Sequence, residues 1–205
     1  MQTTELNDNF AILTGILFSK ERNADSKLLN LKRPVLDLEV ICYEGETPVF
    51  ESVAVIVVDT YLAKISNGYK IGDIITVTGK IRCTGAGVLY VEAMEIEKNY
   101  SAGVGEDFTI ELIASRMKLI EKTPKFNLAH VCGKVTHQAD KYVALEVERT
   151  SKVRGDLQEN DVVLLNLSRY LGLSPEIGDR IYCFGEIGGE DEKSYIYPSS
   201  LRKVM

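Results

Sequence analysis

Laid on its first half, the second half of the chain repeats it motif by motif and in the same order, and self-similarity of this kind constrains architecture before any local propensity does. Asn9-Phe-Ala-Ile-Leu-Thr-Gly15-Ile-Leu matches Asn127-Leu-Ala-His-Val-Cys-Gly133-Lys-Val, with a glycine at the same place inside each strand-like run. Leu36-Asp-Leu-Glu-Val40 then matches Val143-Ala-Leu-Glu-Val147. Tyr61-Leu62 and the later Ile71-Gly-Asp-Ile-Ile-Thr-Val-Thr-Gly79-Lys-Ile81 match Tyr170-Leu171 and Ile177-Gly-Asp-Arg-Ile-Tyr-Cys-Phe-Gly185-Glu-Ile187. Tyr90-Val91 and Ile96 correspond to Tyr195-Ile196 and Leu201. One unit has been duplicated.

Within each unit the hydrophobic pattern has the period of strands. Residues 9–19, 35–43, 49–58, 72–83 and 88–97 are β-branched or alternating runs bounded by Gly, Pro, Asn, Asp or Ser. Their counterparts are 127–137, 141–149, 160–167, 178–187 and 194–202. Thr60-Tyr-Leu-Ala-Lys-Ile-Ser66 is rich in helix formers and closed by Asn67-Gly68, so it reads as a short helix between the third and fourth strands. Glycine weakens a strand unless a bend is needed, and a small closed barrel needs one where its first strand curls to pair on both sides. Gly15 and Gly133 fit that need. The expected fold class is therefore all-β, two tandem five-stranded OB-fold barrels with a short helix between strands 3 and 4 of each. The expected division is residues 1–100, a connector over 101–124, and residues 125–205. Phe108, Leu112, Ile113, Met117 and Ile120 give the connector a helical spacing, although Phe108, Ile110 and Leu112 also alternate as a strand would.

Composition narrows the function. No apolar run approaches the roughly 20 residues a bilayer span needs, and Met1 to Phe10 is polar and acidic, so a cytoplasmic protein with no membrane partner is expected. Cys42, Cys83, Cys132 and Cys183 form no Cys-x-x-Cys pair and read as reduced, mostly buried thiols. His130, Cys132 and His137 resemble half a metal site, but strand packing explains both Cys132 and Cys183, which stand where the first unit has Thr14 and Val77. No P-loop, nucleophile elbow or dinucleotide fingerprint is present. Neither a catalytic residue nor a metal or other cofactor is expected, and the chain is not read as an enzyme. A net charge of −6 opposes general attraction to nucleic acid, so any such function needs a locally basic surface.

Tyr61-Leu-Ala-Lys-Ile, Lys70-Ile-Gly-Asp-Ile-Ile-Thr-Val-Thr-Gly-Lys-Ile and Leu89-Tyr-Val-Glu-Ala-Met-Glu-Ile resemble the helix, Gly-Asp turn, fourth strand and last hairpin of bacterial and phage single-stranded DNA-binding proteins. In the second unit Leu145-Glu-Val-Glu-Arg-Thr-Ser and Ser168-Arg-Tyr-Leu resemble the same family. The resemblance implies sequence-tolerant binding of single-stranded DNA in replication, recombination or repair, with replication or repair proteins as partners. It also implies a homodimer, because single-barrel relatives usually tetramerise and two such chains present four barrels. That family commonly stacks bases on tryptophan and ends in an acidic tail, whereas this chain has no tryptophan and ends Leu201-Arg-Lys-Val-Met205, so stacking falls to tyrosine or phenylalanine. The alternative is a tandem OB-fold adaptor that binds protein and no nucleic acid.

An OB barrel binds strands across its second and third strands, between the loop joining strands one and two and the loop joining four and five. The first loop, Ser19 to Pro34, carries Lys20, Arg22, Lys27, Lys32 and Arg33 against Glu21 and Asp25. Lys80 and Arg82 leave the fourth strand beside Thr84-Gly-Ala-Gly-Val88, and Tyr43 and Tyr90 are candidate stacking rings, with Phe50 as readily a packing residue. Asp37 and Glu39 share a strand face and would repel a phosphate backbone placed there. The second unit offers Arg149, Lys152, Arg154 and Arg169, with Tyr182 and Tyr195 as stackers. Its hairpin Gly188-Gly-Glu-Asp-Glu-Lys-Ser194 is acidic, which makes it the unit expected to be silent if only one binds.

Overall fold

The computed structural model describes residues 9–25, 32–44, 47–84, 87–100, 126–149, 160–172, 174–190 and 193–204, with side chains for all of these except 21–25, 32–33, 42–44, 47–48 and 190. The chain is all-β apart from one short helix and one 3-10 turn among the described residues. The first unit contains β1 (Phe10–Asp25), β2 (Lys32–Glu44), β3 (Thr47–Ile56), α1 (Thr60–Ser66), β4 (Ile74–Cys83) and β5 (Leu89–Tyr100). The second contains β6 (Asn127–Ala139), β7 (Tyr142–Glu148), β8 (Asn160–Asn166), a 3-10 turn (Leu167–Arg169), β9 (Arg180–Glu190) and β10 (Lys193–Lys203). The connector expected over 101–124 lies outside the described residues. No described helix is long and apolar enough to cross a membrane.

Each unit closes into a ring of strands. β1 pairs antiparallel with β4 on one side and β2 on the other, and the ring runs β1-β2-β3-β5-β4 back to β1, with β3 and β5 parallel. The second unit repeats the order as β6-β7-β8-β10-β9 back to β6. Alternation decides which side chains fill each ring: Leu36, Leu38 and Val40 of β2 and Val143, Leu145 and Val147 of β7 are buried, while the residues between them face outward. One continuous buried cluster runs through both units.

The duplicated glycines have a steric cause. A Cβ on Gly15 would lie 2.7 Å from the Glu39 carbonyl oxygen, and one on Gly133 would lie 2.7 Å from that of Glu146, so only glycine lets the neighbouring strand approach at the bend. The two Gly-Asp turns also repeat in detail. Gly72 and Gly178 have φ of 89° and 97°, which favours glycine. The following aspartates accept backbone N–H bonds, Asp73 from Lys70 at 2.8 Å and Asp179 from Glu176 at 3.1 Å.

Two expectations change. β1 and β2 continue outward as a paired arm, Ala24 opposite Arg33 and Asp25 opposite Lys32, so much of the basic loop is a strand hairpin whose backbone groups pair with each other. In the second unit the expected helix is only the 3-10 turn, with the Asn166 side chain accepting from Ser168 N–H at 3.0 Å. The reason is local: Gly172 and Pro175 break the run, whereas Ala63-Lys64-Ile65 continues it in the first unit. Leu171 is consequently fully exposed, although its counterpart Leu62 packs on the core. A cavity of about 450 Å³ opens there between Tyr170, Pro175, Ile181 and Leu201.

The two rings join edge to edge, a feature their repeat does not encode. β1 also pairs with β6, Phe10 opposite His130 through Leu13 opposite Asn127, so all ten described strands form one sheet. A buried ionic cluster reinforces the seam. Asp161 accepts from the Cys83 N–H at 2.8 Å and from Arg149 through Nε at 2.9 Å and Nη2 at 2.7 Å, with Arg82 Nη1 at 3.5 Å. Arg82 Nε also donates to Glu92 at 2.9 Å.

Candidate nucleic-acid interface

The outer faces of the strands decide what each unit presents. On β2 and β3 of the first unit, Val35, Asp37, Glu39 and Ile41 alternate outward opposite Ile56, Ala54, Ser52 and Phe50. The apolar members of this face are buried or half-buried, and its remaining groups are acidic apart from Ser52. Burial, Glu51 and Asp37, in that order, raise the Glu39 carboxyl above its ordinary value, against a lowering hydrogen bond from Ser52. A site where carboxylates already repel one another disfavours phosphate.

Several sequence-selected cations have other partners. Arg82 and Arg149, expected to hold phosphates, are buried in the ionic cluster at the seam, where Asp161 and Glu92 balance their charge. Lys20 donates to the carbonyls of Asn67 and Tyr69 at 2.8 and 3.1 Å, closing the end of α1 rather than reaching outward from a loop. Lys80 is half-buried on the outer face of β4, opposite Glu92. Arg22, Lys32 and Arg33 belong to the strand arm, and Tyr43 to β2, with side chains outside those described. Lys27, Lys152 and Arg154 lie outside the described residues.

The aromatics separate into two groups. Tyr90 is buried beside Val35 and Ile56 rather than presented on an open face. Tyr195 is also buried, yet its ring stacks on Tyr142 at 5.2 Å and meets Tyr197 edgewise at 6.5 Å. Arg169 is exposed and lies 4.3 Å from the centre of the Tyr197 ring. Tyr182 belongs to a different face, the outer side of β6 and β9, where the His130 ring stacks at 3.9 Å on Phe184 and at 5.8 Å beside Tyr182. Lys134, Arg180 and Arg202 are exposed on that same side, since Lys134 stands opposite Arg180 and Tyr182 opposite Arg202.

Tyr142, Tyr197, Lys141, Phe184 and Arg180 were not selected from the sequence. Position relative to the core would have found them: Tyr142 and Tyr197 each neighbour a core residue, Val143 and Ile196, and so must point outward. No group of three or more His, Cys, Asp or Glu that could hold a metal occurs among the described residues. Burial pushes the Cys83 thiol up to about 11 and the Cys183 thiol up to about 12, so neither is a nucleophile at neutral pH.

No family model matches the chain, and no curated protein matches it in sequence. Solved structures do. The wild-type single-stranded DNA-binding protein from Thermus aquaticus superimposes with a TM-score of 0.61 at 14% identity, covering 96% of this chain and 93% of that one. A deletion mutant of the same protein gives a TM-score of 0.58 at 13% identity, covering 96% and 94%. Over 96% of its length this chain has the fold of the Thermus aquaticus single-stranded DNA-binding protein.

Proposed function

We propose that the chain is a non-catalytic, sequence-tolerant single-stranded DNA-binding protein, with its two rings acting as tandem OB barrels divided near residues 101–124. The observation that carries this is the likeness of fold over 96% of the chain to a protein that binds single-stranded DNA. A cytoplasmic place in replication, recombination or repair, beside replication or repair proteins, follows from that reading. Candidate contacts are Arg22, Lys27, Lys32 and Arg33 of the first arm, Lys80, Tyr43, and Lys152, Arg154 and Arg169 of the second unit. Anisotropy of labelled oligo-dT at low and moderate salt tests it: tight binding to oligo-dT and weak binding to duplex of equal length is the expected result. Absence of binding to either favours a protein-binding adaptor, a reading that the acidic β2–β3 face and net charge of −6 support.

The protein also acts as a homodimer on this proposal. Phe10, Ile12, Leu128 and Phe184 line the outer side of β1, β6 and β9, with Leu128 37% and Phe184 38% exposed, and exposed apolar patches mark contact surfaces. The first-unit half of this face carries Glu95 and Glu97, and the second-unit half carries Lys134, Arg180 and Arg202. A two-fold axis along the β1–β6 seam lays the basic half of one copy on the acidic half of the other. Tyr182 then belongs to the contact between copies. Light scattering should report twice the 22.8 kDa chain mass, weakening at high salt, and a monomer at micromolar concentration would refute the dimer.

A further inference from the structure

We propose that the second unit holds unstacked bases of single-stranded DNA on a row of three tyrosines, Tyr142, Tyr195 and Tyr197, with Lys141 and Arg169 at its two ends. This deepens the single-strand reading and rests on it. Tyr195 and Tyr197 flank the core residue Ile196 on β10, and Tyr142 precedes the core residue Val143 on β7, so all three rings lie on the outer side of the ring of strands. Tyr195 is 5% exposed and forms the spine, stacked on Tyr142 at 5.2 Å and meeting Tyr197 at 6.5 Å. Lys141 Nζ sits 5.1 Å from the centre of the Tyr142 ring, and the Arg169 guanidinium 4.3 Å from that of Tyr197.

The internal repeat shows that the fold does not require this row. The registers place Val35, Tyr90 and Glu92 of the first unit where the second has Tyr142, Tyr195 and Tyr197. The first unit closes the same position with aliphatic packing around a buried tyrosine, while the second keeps two half-buried rings at its surface. Aromatic rings accept any base by stacking, and a cation resting on a ring face can yield that face to a base and move to the adjoining phosphate. Carboxylates limit the number of phosphates held: Glu186 stands opposite Tyr197, and Asp140 adjoins Lys141. Stacking therefore supplies most of the affinity at this row. With two cations at the row, its share of the salt dependence is no steeper than about −1.4 in log K against log salt.

The test uses the full chain and a fluorescein-labelled oligo-dT of about 30 nucleotides, which spans two OB units. Tyr142→Leu with Tyr197→Leu should weaken binding by about 10-fold or more, because each stacked base contributes roughly 1–3 kcal/mol. Tyr142→Phe with Tyr197→Phe, which keeps the rings, should bind within about 2-fold of the unaltered protein. Photocrosslinking of the unaltered protein to a bromodeoxyuridine oligomer should mark the segments containing Tyr142 and Tyr197, a result independent of how the variants fold. Undiminished binding by a folded leucine variant, or crosslinks confined to the first unit, would overturn the tyrosine row and leave the single-strand reading standing. Failure of the unaltered protein to bind the oligomer at low salt would overturn both.

Discussion

At the scale of single residues, burial sets chemistry. Cys83 and Cys183 are in the core, and their thiols are raised to about 11 and about 12 by desolvation, so almost none of either is thiolate at neutral pH. A disulfide-exchange reagent should leave both unmodified in the folded protein at pH 7.5 and modify them on unfolding in urea. Prompt modification of the Cys83 or Cys183 peptide under native conditions would contradict their placement. Glu39 gives a pH effect of defined sign. Its folded pKa is raised above 4.5 by burial and by Glu51 and Asp37. A raised carboxylate destabilises the fold where it is ionised, and that penalty fades as pH falls through the folded value and is gone below 4.5. Glu39→Gln should therefore raise Tm at pH 7 by removing that penalty. The gain should vanish near pH 4, and equal Tm values at both pH values would remove this account.

At the scale of elements, caps and bends carry the predictions. Asp59 accepts from the N–H groups of Tyr61 and Leu62 at 2.8 and 2.9 Å, so Asp59→Ala should cost about 1 kcal/mol in a urea melt by freeing the first turn of α1. Gly15→Ala and Gly133→Ala should each cost about 1–3 kcal/mol, because the added carbon meets a backbone carbonyl that cannot rotate away. The hairpin arm of β1 and β2 makes a different test. Replacing Arg22, Lys32 and Arg33 by Ala should flatten the salt dependence of oligo-dT binding by about 0.7 for each phosphate that is no longer neutralised. Lys20 is best left intact in that variant, since its ammonium group closes α1. The strands of both units were readable from alternation and turn residues. The missing second helix was not foreseen, because the matching Tyr-Leu pair carried more weight than the Gly172 and Pro175 that follow it.

For the whole molecule, the seam between the units is the decisive feature. Asp161 is fully buried and pairs with both Arg82 and Arg149, so Asp161→Ala removes the carboxylate that the two buried guanidinium groups share and should cost about 3–5 kcal/mol in denaturant melts. The β1–β6 pairing and the shared core link the two units, and unfolding followed by different probes should remain coincident in the unaltered protein. In Asp161→Ala the two units are expected to separate into distinct transitions.

The duplicated sequence by itself determined the ten described strands and their succession along the chain, the inward and outward alternation, and the two Gly-Asp turns. All of these are local: they depend on a period of two, on a glycine at positive φ, or on an aspartate three residues from the N–H it accepts. Only the tertiary structure decided how the units meet and which charged residues are available to a ligand. Asp161 pairs with the Cys83 backbone across 78 residues, and no periodicity announces a contact over that separation. Arg82 and Arg149 therefore looked like surface cations in the sequence and became seam residues in the fold. Tyr142 and Tyr197, ordinary outward positions in two separate strands, became a row once closure of the ring set β7 and β10 on either side of β8 and turned their outer faces the same way.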